Sequence, residues 1–156
     1  MDIAIIGAGA SGLTAAISAA RQGAEVLLID RLPKVGKKIL STGNGRCNIS
    51  NTNIDISRYH GDTAFAEKIL NRFNLEKTRE FFSSIGLELC ELEDGKLYPK
   101  SLQAATVLDM LRLEAARLSV KEVTSFEVID IKKDKNGFTI KSKDGILEQI
   151  GRMLEQ

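Results

Sequence analysis

Three glycines near the start of the chain stand where a phosphate could be held. Gly7, Gly9 and Gly12, with Ala10 and Ser11 between them, form a G-x-G-x-x-G pattern directly after the apolar run Ile3-Ala4-Ile5-Ile6. The three glycines serve different ends. Gly7 permits a tight turn, Gly9 lets a pyrophosphate approach the backbone, and Gly12 allows close helix–strand packing. A helix beginning here presents unpaired N–H groups and a positive dipole end to phosphates. Asp30 closes a second apolar run, Glu25 to Asp30. Its carboxylate can accept hydrogen bonds from ribose hydroxyls and would repel a 2′-phosphate. The chemistry is dinucleotide binding, and the pattern serves NAD and FAD alike.

The elements that must position these residues are legible on either side of them. Ile3 to Ile6 reads as a buried parallel strand. An Ala-rich helix follows from about Ser11 to Gln22, with Gly23 ending it. Val26 to Ile29 supplies a second buried strand. Strand, glycine turn, helix, strand and acid together are far more specific than the glycine spacing alone.

A second chemical segment follows. Arg31 to Asn53 carries Lys34, Lys37, Lys38 and Arg46 among Gly36, Gly43 and Gly45, with Ser, Thr and Asn throughout. By charge alone this is a solvated basic loop. Read as a ligand segment, its glycines let backbone fold around a bound molecule while its cations balance pyrophosphate charge.

Further on, Asp62 or Thr63 can cap a helix to about Arg72 with Phe65, Ile69, Leu70 and Phe73 on its apolar side. Asn74 can cap another, Leu75 to Ile85, closed by Gly86. Leu87 to Leu92 and Lys96 to Tyr98 form a small hairpin, broken by Pro99. Ser101 caps a long amphipathic helix to about Leu118, with Leu108, Leu111, Leu113, Ala116 and Leu118 among its apolar residues. A strand over Glu122 to Lys133 turns at Asn136-Gly137 into Phe138 to Ser142. The tail Ile146 to Gln156 is compatible with strand or short helix.

At 156 residues the chain has the length of one ordinary domain with a real core. A net charge of +1 gives no global pull toward nucleic acid or membrane, so a basic site must be local. No run approaches membrane-spanning length. Cys47 and Cys90 make neither a metal-ligand spacing nor a disulfide framework, which predicts no metal and a cytoplasmic setting.

With the second segment read, a resemblance is visible. Gly36-Lys37-Lys38-Ile39-Leu40-Ser41-Thr42-Gly43-Asn44-Gly45-Arg46-Cys47-Asn48 resembles the G-K-K-x-x-x-[ST]-G-x-G-R-C-N signature of the HI0933-like, aminoacetone oxidase-like family of NAD(P)/FAD-dependent flavoproteins. Phe81-Phe82-x-x-x-Gly86 and Glu93-Asp94-Gly95-Lys96-Leu97-Tyr98-Pro99 extend it, as does Asn136-Gly137-Phe138.

The resemblance implies an α/β, Rossmann-like FAD-binding fold of the two-dinucleotide-binding type: a parallel sheet with helices plus a small β-hairpin or meander layer. Gly7, Gly9, Ala10, Ser11 and Gly12 would hold the pyrophosphate and Asp30 the ribose. Arg31 and Lys37 would lie near the adenosine and phosphates. Gly43, Gly45, Arg46, Cys47 and Asn48 would pass the pyrophosphate–ribityl and flavin end. Val128, in a strand Phe126 to Lys132, would meet the adenine through its backbone. Family members are considerably longer, so residues 1–156 read as a single FAD-binding domain fragment lacking a substrate domain and C-terminal return. A sheet edge left open by missing strands would favour a homodimer. The implied function is hydride transfer through FAD on a small-molecule substrate, with a reductase drawing on NAD(P)H and an oxidase passing electrons to oxygen both open. The rival is a non-catalytic FAD- or ADP-binding module.

No catalytic residue is nominated. Cys47 beside Arg46 is expected to pack as a small buried group near the flavin. His60 reads as a loop residue, Tyr98 as hairpin packing, and Cys90, Phe65, Phe73, Phe81 and Phe82 as core.

Overall fold

The computed structural model describes residues 1–135 and 137–155; Asn136 of the expected turn and Gln156 of the tail lie outside the described residues. In chain order the elements are β1 (Ile3–Ile6), α1 (Ala10–Arg21), β2 (Val26–Ile29), β3 (Ser50–Asn51), α2 (Thr63–Arg72), α3 (Leu75–Ser84), β4 (Leu89–Glu91), β5 (Lys96–Pro99), α4 (Ala104–Arg117), β6 (Lys121–Val123), β7 (Asp130–Asp134), β8 (Gly137–Lys141), β9 (Ile146–Ile150) and β10 (Arg152–Glu155). They fall into two compact units, residues 1–39 with 111–156, and residues 40–110.

The first unit is built on a parallel sheet of order β10-β1-β2-β6. Strand alternation gives this sheet two apolar faces. Ala4, Leu27 and Ile29 form a buried cluster with Ile140 of β8, and Phe126, Val128, Ile131, Phe138 and Leu147 pack against it. These side chains belong to the antiparallel sheet β7-β8-β9 and the segment before it. α1 packs along β1 and β2 and buries Leu13, Ala16 and Ile17.

The second half of α4 buries Leu111, Ala115 and one charged residue, Glu114. Glu114 Oε1 accepts from Arg21 Nε at 3.0 Å and from a terminal Arg21 nitrogen at 2.7 Å. Its Oε2 accepts from Arg117 Nε at 2.6 Å, and Oε1 accepts a further bond from Arg117 at 2.9 Å. The Arg117 hydrogen bond, and then that of Arg21, overcome burial and hold the carboxyl at about 2. Arg21 closes the last turn of α1, where a cation also suits the helix dipole.

The second unit holds the antiparallel sheet β3-β5-β4 and the helices α2 and α3. Asp62 caps α2 by accepting from Phe65 N–H at 3.0 Å, and Asn74 caps α3 by accepting from Lys77 N–H at 3.0 Å.

Four expectations are corrected, and the alternative left open for the tail is resolved. The strand expected over Glu122 to Lys133 is two strands, because Ser125 turns at φ +55° while its N–H and that of Phe126 bond Leu32 O and Asp30 O. Val128 therefore lies in a connection and not in a strand. Pro99 ends β5 opposite Leu89, beyond the residues that pair with β3, so its missing N–H interrupts no ladder there. The helix expected from Ser101 starts at Ala104, after Leu102 at φ +54°. Phe65 and Phe73 are exposed rather than core, as is Leu113, while Phe81, Phe82 and Cys90 are half-buried. The tail is strand: β10 pairs with β1 in parallel register, Ile3 with Arg152 through Ile6 with Glu155. β1 is thus an interior strand.

Candidate functional site

In the first unit the chain leaves β1 through Gly7, whose φ of +99° only glycine adopts without strain. Its N–H donates to Ile29 O at 2.7 Å, which ties the turn to β2. Gly9 then stands at the N-cap of α1, and no side chain caps that helix. Ala10 and Ser11 are exposed at its opening while Gly12 is buried against the sheet. Small residues at an uncapped helix start leave room and N–H donors for an anion.

Asp30 is the joint of this region. One carboxylate oxygen accepts from Ala8 N–H at 2.7 Å and the other from Leu32 N–H at 2.7 Å. The acid thereby clasps the glycine turn to the end of β2. A carboxylate has about four acceptor sites, so about two remain for a ligand. Gly36 N–H donates to Ala8 O at 2.7 Å and holds the next loop against the same turn.

A cavity of about 320 Å³ opens beside this joint. Ile6, Gly7, Ile29, Asp30, Arg31, Phe126, Glu127 and Val128 line it. Four residues singled out in the sequence, Gly7, Asp30, Arg31 and Val128, therefore meet at one place. Phe126 and Glu127 were missed there; they gave no motif, and only the bend at Ser125 brings their segment to Asp30. Lys37 lies in an exposed turn of this unit and does not line the cavity.

The second unit carries Gly43, Gly45, Arg46, Cys47 and Asn48. This stretch is wound left-handed, with φ of +52° at Gly43, +53° at Asn44, +79° at Gly45 and +59° at Cys47. Cys47 N–H donates to Thr42 O at 3.0 Å and Arg46 N–H to Gly43 O at 3.1 Å. A Cβ on Gly43 would stand 2.8 Å from Asn48 N, so no other residue fits without displacing backbone. Cys47 is buried, Asn48 is exposed, and the Arg46 guanidinium lies over the Tyr98 ring, 5.0 Å from its centroid. Tyr98 is buried, and His60 is exposed in a loop.

Among the described residues no three His, Cys, Asp or Glu side chains cluster as a metal site, and no helix is long and apolar enough to cross a membrane.

The chain is 46% identical over 143 residues to a 3-dehydro-bile acid delta(4,6)-reductase of Clostridium scindens, covering 90% of this chain and 35% of that protein. It is 34% identical over 140 residues to a ribosomal RNA dihydrouridine synthase of Escherichia coli, covering 89% and 35%. The chain thus spans about a third of the length of these relatives. Among solved structures, a flavocytochrome c3 fumarate reductase superposes with a TM-score of 0.71 at 17% identity, over 99% of this chain and 33% of that one. The 3-ketosteroid-delta4-(5alpha)-dehydrogenase of Rhodococcus jostii RHA1 does so at 0.68 and 15%, over 99% and 45%. These two likenesses concern the fold. The family model described as the HI0933-like protein Rossmann domain matches residues 1–150. The chain belongs to the HI0933-like family and is its Rossmann domain, the FAD-binding domain type of flavoprotein oxidoreductases.

Proposed function

We propose that residues 1–156 form one domain that binds FAD for a flavin-dependent reductase. The observation that carries the reading is the Asp30 clasp: one carboxylate fixes the glycine turn, stands beside the uncapped start of α1, and lines the adjoining cavity. In this reading Gly7, Gly9, Ala10, Ser11 and Gly12 hold the pyrophosphate, and Asp30 takes ribose hydroxyls on its remaining acceptor sites. Arg31 and Lys37 balance phosphate charge, and Val128 offers backbone to the adenine. Gly43, Gly45, Arg46, Cys47 and Asn48 take the pyrophosphate–ribityl and flavin portion.

The flavin supplies hydride transfer when bound; the residues named bind it and orient it. The Clostridium scindens relative is named as a reductase, which favours NAD(P)H as the electron donor and a small-molecule substrate. Free Cys47 and Cys90 fit a reducing cytoplasm. A homodimer through the edge strands β6 or β10 belongs to the same reading, and light scattering at high concentration tests it.

The test is a visible absorption spectrum of the purified chain before and after addition of FAD and desalting. Retained flavin bands are expected, weakened in Asp30→Ala. A chain that stays colourless overturns the reading. Bleaching of the bound flavin by NAD(P)H separates a reductase from a non-catalytic FAD- or ADP-binding module.

A further inference from the structure

We propose that Tyr98 is a positioning residue that aims the Arg46 guanidinium at an anionic group of the ligand. The proposal rests on the FAD reading and adds a residue to it. Tyr98 sits in β5, the middle strand of its sheet, opposite Cys90, and is only 6% exposed. Its ring is therefore held by strand pairing and burial. The Arg46 guanidinium carbon stands 5.0 Å from the ring centroid. The same ring meets the signature loop a second time, since a Cβ on Gly43 would lie 3.3 Å from Tyr98 Cε1. One rigid ring thus seats both the left-handed turn and the cation that leaves it.

An aromatic face attracts a guanidinium without using its in-plane N–H donors. Arg46 makes no ion pair among the described residues, so its donor edge is open. A planar fork of donors held on a fixed ring is suited to two oxygens of one phosphate. A lysine at this position would supply charge without the fork.

The test measures FAD affinity by fluorescence quenching for wild type, Arg46→Ala, Tyr98→Phe, Tyr98→Leu, Tyr98→Met and the double variant Arg46→Ala/Tyr98→Leu. Tyr98→Phe keeps the ring and should bind within about twofold of wild type. Tyr98→Leu should weaken binding about fivefold, the size of a cation–π contact, and the double variant no further than Arg46→Ala alone. Tyr98→Met substitutes for Tyr98→Leu should the latter fail to fold, as judged by circular dichroism. The Arg46 Nε–H proton resonance should carry the ring shift in wild type and Tyr98→Phe and lose it in Tyr98→Leu. Wild-type affinity in Tyr98→Leu, or losses that multiply in the double variant, would overturn the positioning role while leaving FAD binding intact. Absence of FAD binding in the wild type overturns both.

Discussion

Replacing Glu114 by Gln removes one negative charge from between two arginines and keeps the side chain's shape. The Glu114 side chain is 8% exposed and receives four donor contacts from Arg21 and Arg117. Its carboxyl is drawn from 4.5 to about 2, foremost by the Arg117 hydrogen bond. At about 1.36 kcal/mol per pH unit that displacement corresponds to about 3 kcal/mol. Arg117 is 66% exposed and Arg21 29%, so solvent screening reduces the figure to about 2 kcal/mol. The folded carboxyl titrates below the unfolded one. Its contribution is therefore complete above the ordinary carboxyl range and fades as pH falls toward about 2. Urea denaturation followed by circular dichroism should place Glu114→Gln about 2 kcal/mol below wild type at pH 7, a Tm loss of about 4–8 °C. The two proteins should converge near pH 2. An equal deficit at both pH values would mean that packing, not charge, carries the effect, and a deficit under about 0.5 kcal/mol at pH 7 would refute the reasoning.

Gly43→Ala, forced into a left-handed turn 2.8 Å from Asn48 N, should cost about 2–3 kcal/mol in urea denaturation and reduce FAD retention. Asp30→Asn keeps one acceptor oxygen for the two N–H groups of Ala8 and Leu32; a loss of about 1–2 kcal/mol is expected by the same assay. Asn74→Ala removes the cap of α3 and should cost about 1 kcal/mol, seen by hydrogen exchange as faster opening confined to that helix. Phe65→Ser, at a residue 62% exposed, should leave the denaturation midpoint within about 0.5 kcal/mol of wild type.

The β-α-β opening was legible because its signals are local: a short apolar run, glycines at fixed offsets, a helix period and an acid. The helix starts at Asp62 and Asn74 were legible for the same reason. What escaped was set by contacts distant in sequence. Nothing local marks Glu114 as buried, and its partner Arg21 lies on α1, far away in sequence. Phe65, Ile69 and Phe73 carry the period of a core face, yet all three are exposed, since periodicity describes a face and not its cover. The bend at Ser125 depends on Leu32 and Asp30, and no glycine, proline, Asn or Asp announces it. In the candidate site, glycines and charges were visible in order, whereas Phe126 and Glu127 joined the cavity through that bend.

The pairing of β10 with β1 also orders events during synthesis. Ile3 must wait for Arg152, and at about 5–20 residues per second that is an interval of about 7–30 s. Meanwhile α1 and β2 have emerged and can close one side of β1, but its other side presents bare N–H and C=O groups. The nascent sheet is thus open on that side to pairing with a neighbouring chain on the same message until β10 arrives. The slow, high-separation contact, rather than the glycine turn, sets when the first unit becomes resistant to misassembly.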